Sequence, residues 1–126
     1  MGLDMYLYRR PRKDEDVDEI NLGYWRKANA IHEYFTRNLT EDEEDNCTKI
    51  RVKKKDLLDL QRRCLKINRV GADVAEELLP TTSGFFFGGT EYDEYYMQYI
   101  AHTLGVVEET LDDWQPNDYV YYFAWY

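Results

Sequence analysis

A chain of 126 residues with 44% hydrophobic and 16% aromatic side chains is the size of one domain and carries enough apolar surface for one core, which excludes a wholly disordered polypeptide. Its formal net charge is −9, and no apolar run is long enough to cross a bilayer as a helix, which excludes a membrane-spanning helix. No basic-then-apolar leader opens the chain, so a cytoplasmic protein is expected. The two cysteines, Cys47 and Cys64, do not form a C-x-x-C pair and are expected as unpaired thiols.

The elements follow in chain order. Residues 3–9, LDMYLYR, alternate and place Leu3, Met5 and Leu7 on one face of a half-buried strand. The charged run 10–19, broken by Pro11, predicts an exposed loop. Asn21 is placed to cap a helix over 22–39, where Trp25, Ala28, His32, Phe35 and Leu39 recur at spacings of three and four. TEDEEDN, residues 40–46, is a dense run of like charge and predicts another loop. CTKIRVK alternates again, predicting a strand with Ile50 and Val52 buried. A helix then starts near Asp56, with Leu57, Leu60, Cys64 and Ile67 on one face and Leu58 and Leu65 beside them. Gly71 interrupts it, and ADVAEELL forms a short further helix that stops before Pro80.

Thr90 is the predicted N-cap of a helix over 91–113. Asp93 lies three residues on, as in a capping box, and Glu91, Asp93 and Glu94 suit the dipole of the first turn. QPND breaks this helix. The closing YVYYFAWY, β-branched and aromatic, predicts a central or well-covered strand. The expected fold is α+β: a small, mostly antiparallel sheet of N-terminal, middle and C-terminal strands, packed against three main helices.

Charge is unevenly spread. All 16 Lys and Arg residues precede position 71, whereas residues 71–126 hold 11 acidic groups and eight of the 12 tyrosines. Such asymmetry suits a basic partner; it also serves to keep an aromatic half soluble. Glu94, Glu108, Glu109, Asp112 and Asp113 are the candidate partner-binding acids, expected to be exposed and free of internal ion pairs. Nine basic residues within 49–69 face only Asp56 and Asp59 in that segment. They suit a nucleic-acid backbone, but with a pI near 4.7 the preferred reading sets them against the acidic half inside the fold, which disfavours direct nucleic-acid binding. GFFFGGT before a helix invites an anion site. It matches neither phosphate-loop pattern, no Lys follows, and three carboxylates crowd the first turn. The glycines are better read as letting the phenylalanines drop onto the sheet. His32 and His102 lack partners at metal-ligand spacing, so neither a metal nor a cofactor is expected.

The blocks MGLDMYLY, GYWRKANAIHEYF and LLPTTSGFFFGGTEYDEYY resemble those of a family of small proteins encoded by bacteriophages and prophages. The chain departs from that pattern in its basic run at 53–55 and its acidic loop at 41–45. If the blocks mark a shared site, the resemblance gathers Tyr24, Trp25, Arg26, Asn29 and His32 near Ser83, Tyr92, Asp93 and Tyr96. Two functions are weighed. One is a phage accessory protein that binds a basic surface of a host protein and blocks a defence complex or nucleic-acid machine, as anti-CRISPR proteins do. The other is a small-molecule or nucleotide binder, or an enzyme, built on the Trp25/Arg26/Asn29/His32 cluster. The first is preferred, and with it a non-enzymatic role.

Overall fold

The computed structural model describes residues 2–10, 19–39, 49–84 and 87–126. Period-2 alternation builds its sheet. Strands β1 (Asp4–Arg10), β2 (Ile20–Arg26), β3 (Ile50–Val52) and β4 (Tyr119–Trp125) pair antiparallel throughout in the order β2-β1-β4-β3. The first and last strands therefore occupy the centre. On the inner face Met5 stands opposite Trp25 and Ala124, while Leu7 stands opposite Gly23 and Tyr122. Leu3, Met5, Leu7, Val120 and Ala124 are fully buried there. Each large apolar side chain so removed from water contributes roughly 1.5–3 kcal/mol. The fold is α+β with a small antiparallel sheet, as the alternation and the helical spacings predict.

The helices are α1 (Asn29–Leu39), α2 (Lys54–Val70), α3 (Ala75–Leu78) and α4 (Glu94–Asp112), with a 3-10 turn at Ala72–Val74 before α3. The stripe Leu57, Leu60, Cys64 and Ile67 is buried on α2, and Gly71 closes that helix at a φ of 103°, where a side chain would be strained. Burial pushes the Cys64 thiol up to about 12. Leu58 and Leu65, at 48% and 47% exposure, face outward instead. Where α4 crosses β2, Gly23 permits close approach: a Cβ there would stand 2.7 Å from Cγ1 of Val106.

Two boundaries differ from expectation. The first helix does not begin at residue 22. Residues 20–26 form β2, and the chain turns at Lys27, which adopts a φ of 54°, before α1 starts at Asn29. Asn21 is a strand residue and caps nothing. Trp25, Ala28, His32 and Phe35 are all buried, so the 3.6-residue spacing found the right core positions but joined two elements. Pairing with β1 overrides it, and the hydrogen bond from Lys27 N–H to the Leu3 carbonyl, at 2.8 Å, fixes where the strand ends. The second difference concerns α4, whose N-cap is Asp93 rather than Thr90. The Asp93 carboxylate accepts the Tyr96 N–H at 3.1 Å, whereas the Thr90 carbonyl accepts the Thr81 hydroxyl. The loops predicted for most of 10–19 and for 40–46, and the phenylalanines Phe85 and Phe86, lie outside the described residues.

Removing residues 119–126 takes away the strand that joins β1 to β3, and the truncated protein is expected to lose its cooperative thermal transition; an unchanged melt would contradict the topology. At the start of α4, Asp93→Ala should destabilise by about 1 kcal/mol in urea unfolding, while Thr90→Ala leaves the cap in place and should cost measurably less.

Candidate functional site

The segments GYWRKANAIHEYF and LLPTTSGFFFGGTEYDEYY meet in space, and Asn29 joins them. It is fully buried at the start of α1. Its amide nitrogen donates to the carbonyls of Phe87 and Gly89 at 3.0 and 2.8 Å, and its amide oxygen accepts the Thr82 N–H at 3.0 Å. Around this clamp, the Thr81 N–H donates to the Tyr92 hydroxyl and the Tyr96 hydroxyl donates to the Leu79 carbonyl. Phe87 packs edge-on against His32 and Tyr126, with ring centroids 5.2 and 5.0 Å away. His32 Nδ1 lies 2.6 Å from the Tyr122 hydroxyl.

The grouping expected from the resemblance is therefore only partly realised. Asn29 and His32 do approach the 82–89 loop, but their polar atoms close the fold. Trp25 is spent on the Thr103 hydroxyl, which its indole N–H reaches at 2.8 Å, and Asp93 caps α4. Because residues 24–26 are a strand, Tyr24 and Arg26 point to the opposite sheet face from Trp25. Tyr24 donates there to the Asp4 carboxylate at 2.5 Å, which pushes its phenol up to about 12. Ser83 is exposed and joins none of these contacts. Three cavities lined by described residues lie elsewhere: about 520 Å³ beside Leu58, Arg62 and Leu65, about 280 Å³ beside Tyr34, Arg63 and Glu77, and about 240 Å³ beside Gly2, Asp4, Tyr6 and Trp125. Among the described residues no group of three or more His, Cys, Asp or Glu side chains is placed to hold a metal ion, and no helix is long and apolar enough to cross a membrane.

All five candidate acids are exposed, but they do not form one patch. Glu94 opens α4, and Glu108 lies roughly 21 Å further along its axis. Asp113 is not free of ion pairs, for Arg9 lies 3.1 Å from its carboxylate and reaches Asp118 as well. Among the described residues no cation pairs with Glu108, Glu109 or Asp112. α4 has no basic residue in its last turn, so these three acids face the negative end of their own helix dipole, each an unfavourable placement of about 0.3–1 kcal/mol.

The basic segment also departs from the preferred reading. Its ion pairs are local: Arg62 and Arg63 share Asp59, and Lys49 approaches Glu19 at 3.7 Å. No ion pair among the described residues joins 49–69 to the acidic half. Arg51, Lys53, Lys54, Lys55, Lys66 and Arg69 remain exposed. The two charge sets are thus presented to solvent rather than to each other.

A third surface has no counterpart among the sequence candidates. The outer sheet face carries Tyr6 and Tyr8 from β1, Tyr24 from β2, and Tyr119, Tyr121, Phe123 and Trp125 from β4. Register aligns Tyr24, Tyr6 and Phe123 in one row across three strands, then Tyr8, Tyr121 and Arg51 in the next. Neighbouring rings touch, with centroids 5.2 Å apart for Tyr6–Tyr24 and 5.4 Å for Tyr8–Tyr121. Trp125 is 61% exposed and Tyr24 44%. Cations rim the face: Arg10 and Lys49 lie over Tyr121, and Arg51 over Tyr119. The signal was present in YVYYFAWY, where Tyr119, Tyr121, Phe123 and Trp125 alternate with residues that suffice for the core, and in DMYLYR, where Tyr6 and Tyr8 flank Leu7. No protein-family model, curated protein or solved structure matches this chain.

Truncating Asn29 to Ala leaves three backbone groups without their partner, and a loss of at least about 2 kcal/mol in urea unfolding is expected. The buried tyrosines predict alkaline unfolding. Burial raises Tyr34, Tyr96, Tyr99 and Tyr121 above the ordinary value of 10.0. Their contribution to stability is complete below that pH. Above it the unfolded chain releases protons that the folded chain retains, so stability falls as pH rises through the folded values. In ultraviolet titration, ionisation of these phenols should coincide with loss of helical circular dichroism.

Proposed function

We propose that the protein acts by binding, as a phage-encoded accessory protein that engages a basic surface of a host protein and thereby obstructs a defence complex or nucleic-acid machine. The observation that carries this reading is the C-terminal end of α4. There Glu108, Glu109 and Asp112 are exposed, lack cationic partners among the described residues, and oppose the helix dipole. A basic partner relieves the mutual repulsion of these acids, and exposed like charge steers encounter over a long range. The resemblance of the three sequence blocks supports the phage origin. The alternative, a small-molecule site or enzyme at Trp25, Arg26, Asn29 and His32, is weakened because Trp25, Asn29 and His32 are buried in contacts that hold the fold together, while Arg26 is exposed on the opposite sheet face from Trp25.

The test is a triple reversal, Glu108→Lys with Glu109→Lys and Asp112→Lys. In the free protein it should leave the melt unchanged or raise it, since the cations then suit the dipole. Association with a partner captured from host lysate and identified should slow by tenfold or more, and wild-type association should weaken as screening shortens to about 8 Å at physiological salt. An unchanged on-rate in the reversed protein would overturn the assignment.

A further inference from the structure

The outer face of the sheet is an aromatic surface on which Tyr24 and Trp125 are exposed, Tyr6, Tyr8, Tyr119 and Phe123 half-buried, and Tyr121 buried beneath Arg10 and Lys49, and its surroundings say what covers it. We infer that this face binds single-stranded nucleic acid, with bases stacking on the rows that include Tyr24, Tyr6, Phe123 and Trp125, and phosphates held along the rim formed by Arg51 and Lys53–Lys55. This goes beyond the acid-mediated docking proposed above and uses a different surface.

Three observations carry it. First, the rings form aligned rows on adjacent strands, and the most exposed, Trp125 and Tyr24, stand in neighbouring rows, Tyr24 level with Tyr6 and Phe123, and Trp125 level with Asp4. A base in a duplex has its faces covered by its neighbours, whereas an unpaired strand can lay successive bases on such rings. Second, the cations lie where phosphates would fall. Arg51 projects from β3 over Tyr119, and Lys53, Lys54 and Lys55 follow β3 at the start of α2, all exposed. Their positions at N-cap, N1 and N2 oppose the helix dipole, offset locally by Asp56, which accepts the Lys53 N–H at 2.9 Å. A bound phosphate reverses that penalty. Third, the charge of the whole molecule does not describe this surface. The acids of α4 belong to a helix packed on the inner face through Val106 and Thr103. Among the described residues two acids lie on the outer face, and both are engaged: Asp4 accepts the Tyr24 hydroxyl, and Glu19 pairs with Arg10 and Lys49. The expectation drawn from net charge does not hold here, because among the described residues no ion pair joins the basic segment to the acidic half.

A protein partner would use the aromatic face without needing the lysines, and a second copy would cover it without any added ligand. The experiment separates these cases. Fluorescence anisotropy with labelled oligothymidine, oligouridine and a duplex, each of about 20 nucleotides per strand, would be measured on the full chain at about 50 mM salt. A single strand is expected to bind at least tenfold more tightly than the duplex, and the two single-stranded arms decide between DNA and RNA. Trp125→Ala and Tyr24→Ala, both at exposed positions that leave the core intact, should each weaken binding roughly tenfold, with Trp125→Phe restoring most of it because a stacking ring remains. Reversing Lys53, Lys54 and Lys55 to Glu should reduce the slope of log affinity against log salt by about 2, at about 0.7 per phosphate contact on a single strand. Circular dichroism of each variant checks that it folds.

Absence of binding by any oligonucleotide at low salt would overturn the inference. So would binding indifferent to Trp125 and Tyr24, which would place the contact elsewhere. Concentration-dependent dimers in sedimentation that Trp125→Ala abolishes would assign the face to a second copy instead.

Discussion

Placement of β4 between β1 and β3 is the contact from which the rest of the molecule hangs. The chain's last strand supplies Val120, Tyr122 and Ala124 to the inner face and Tyr119, Tyr121, Phe123 and Trp125 to the outer one. Tyr122 links layers as well as strands. It stands in register with Leu7 on one side and Ile50 on the other, stacks on Phe35 at 4.4 Å, and brings its hydroxyl to His32. Neither the β1–β2 hairpin nor the three-residue β3 has a second paired neighbour without it, and a two-stranded ribbon is marginal in water. Pairing residue 4 with residue 125 closes almost the whole chain into one loop, so the sheet's centre depends on the most distant contact the sequence can make.

That arrangement also sorts charge. α1 and α4 pack against the sheet and α2 against α4, and Glu108, Glu109 and Asp112 stand at the end of α4. The cations of residues 49–55 sit on β3 and the opening of α2. Both sets oppose the dipole of the helix that carries them, so neither placement serves the isolated helix. Among the described residues, Arg9 with Asp113 and Asp118 is where the two halves of the chain meet in an ion pair. A protein of net charge −9 thus offers one acidic end and one basic rim, a separation that bulk charge conceals.

Much of this was legible in residue order. Alternation at 3–9 and at 50–52 identified buried strand faces, and the spacing of Leu57, Leu60, Cys64 and Ile67 identified a helix and its inward stripe. Those signals are local, and local geometry sets them. At 20–28 the signal was ambiguous. Trp25, Ala28, His32 and Phe35 fit a helical stripe because a strand followed by a helix can deliver buried residues at the same intervals. Hydrogen bonds to β1 decided the matter. The cap of α4 was similar: Thr90 and Asp93 are both good caps, and Thr90 is drawn instead to Thr81 by the folding of the 79–93 loop around Asn29.

The sequence by itself determined the fold class, the identity of the core, the opposite charges of the two halves and the abundance of tyrosine, because composition and short-range periodicity fix what must be buried and what must be solvated. Only the tertiary structure decided that Asn29 is a clamp, that Tyr24 and Trp25 face opposite ways, and that the basic segment leaves the acidic half unneutralised. It alone brought seven aromatic side chains from three strands onto one sheet face, six of them exposed or half-buried. The reason is physical: strand order and register are settled by pairings between distant segments, and a one-residue change of register would send every ring to the other face.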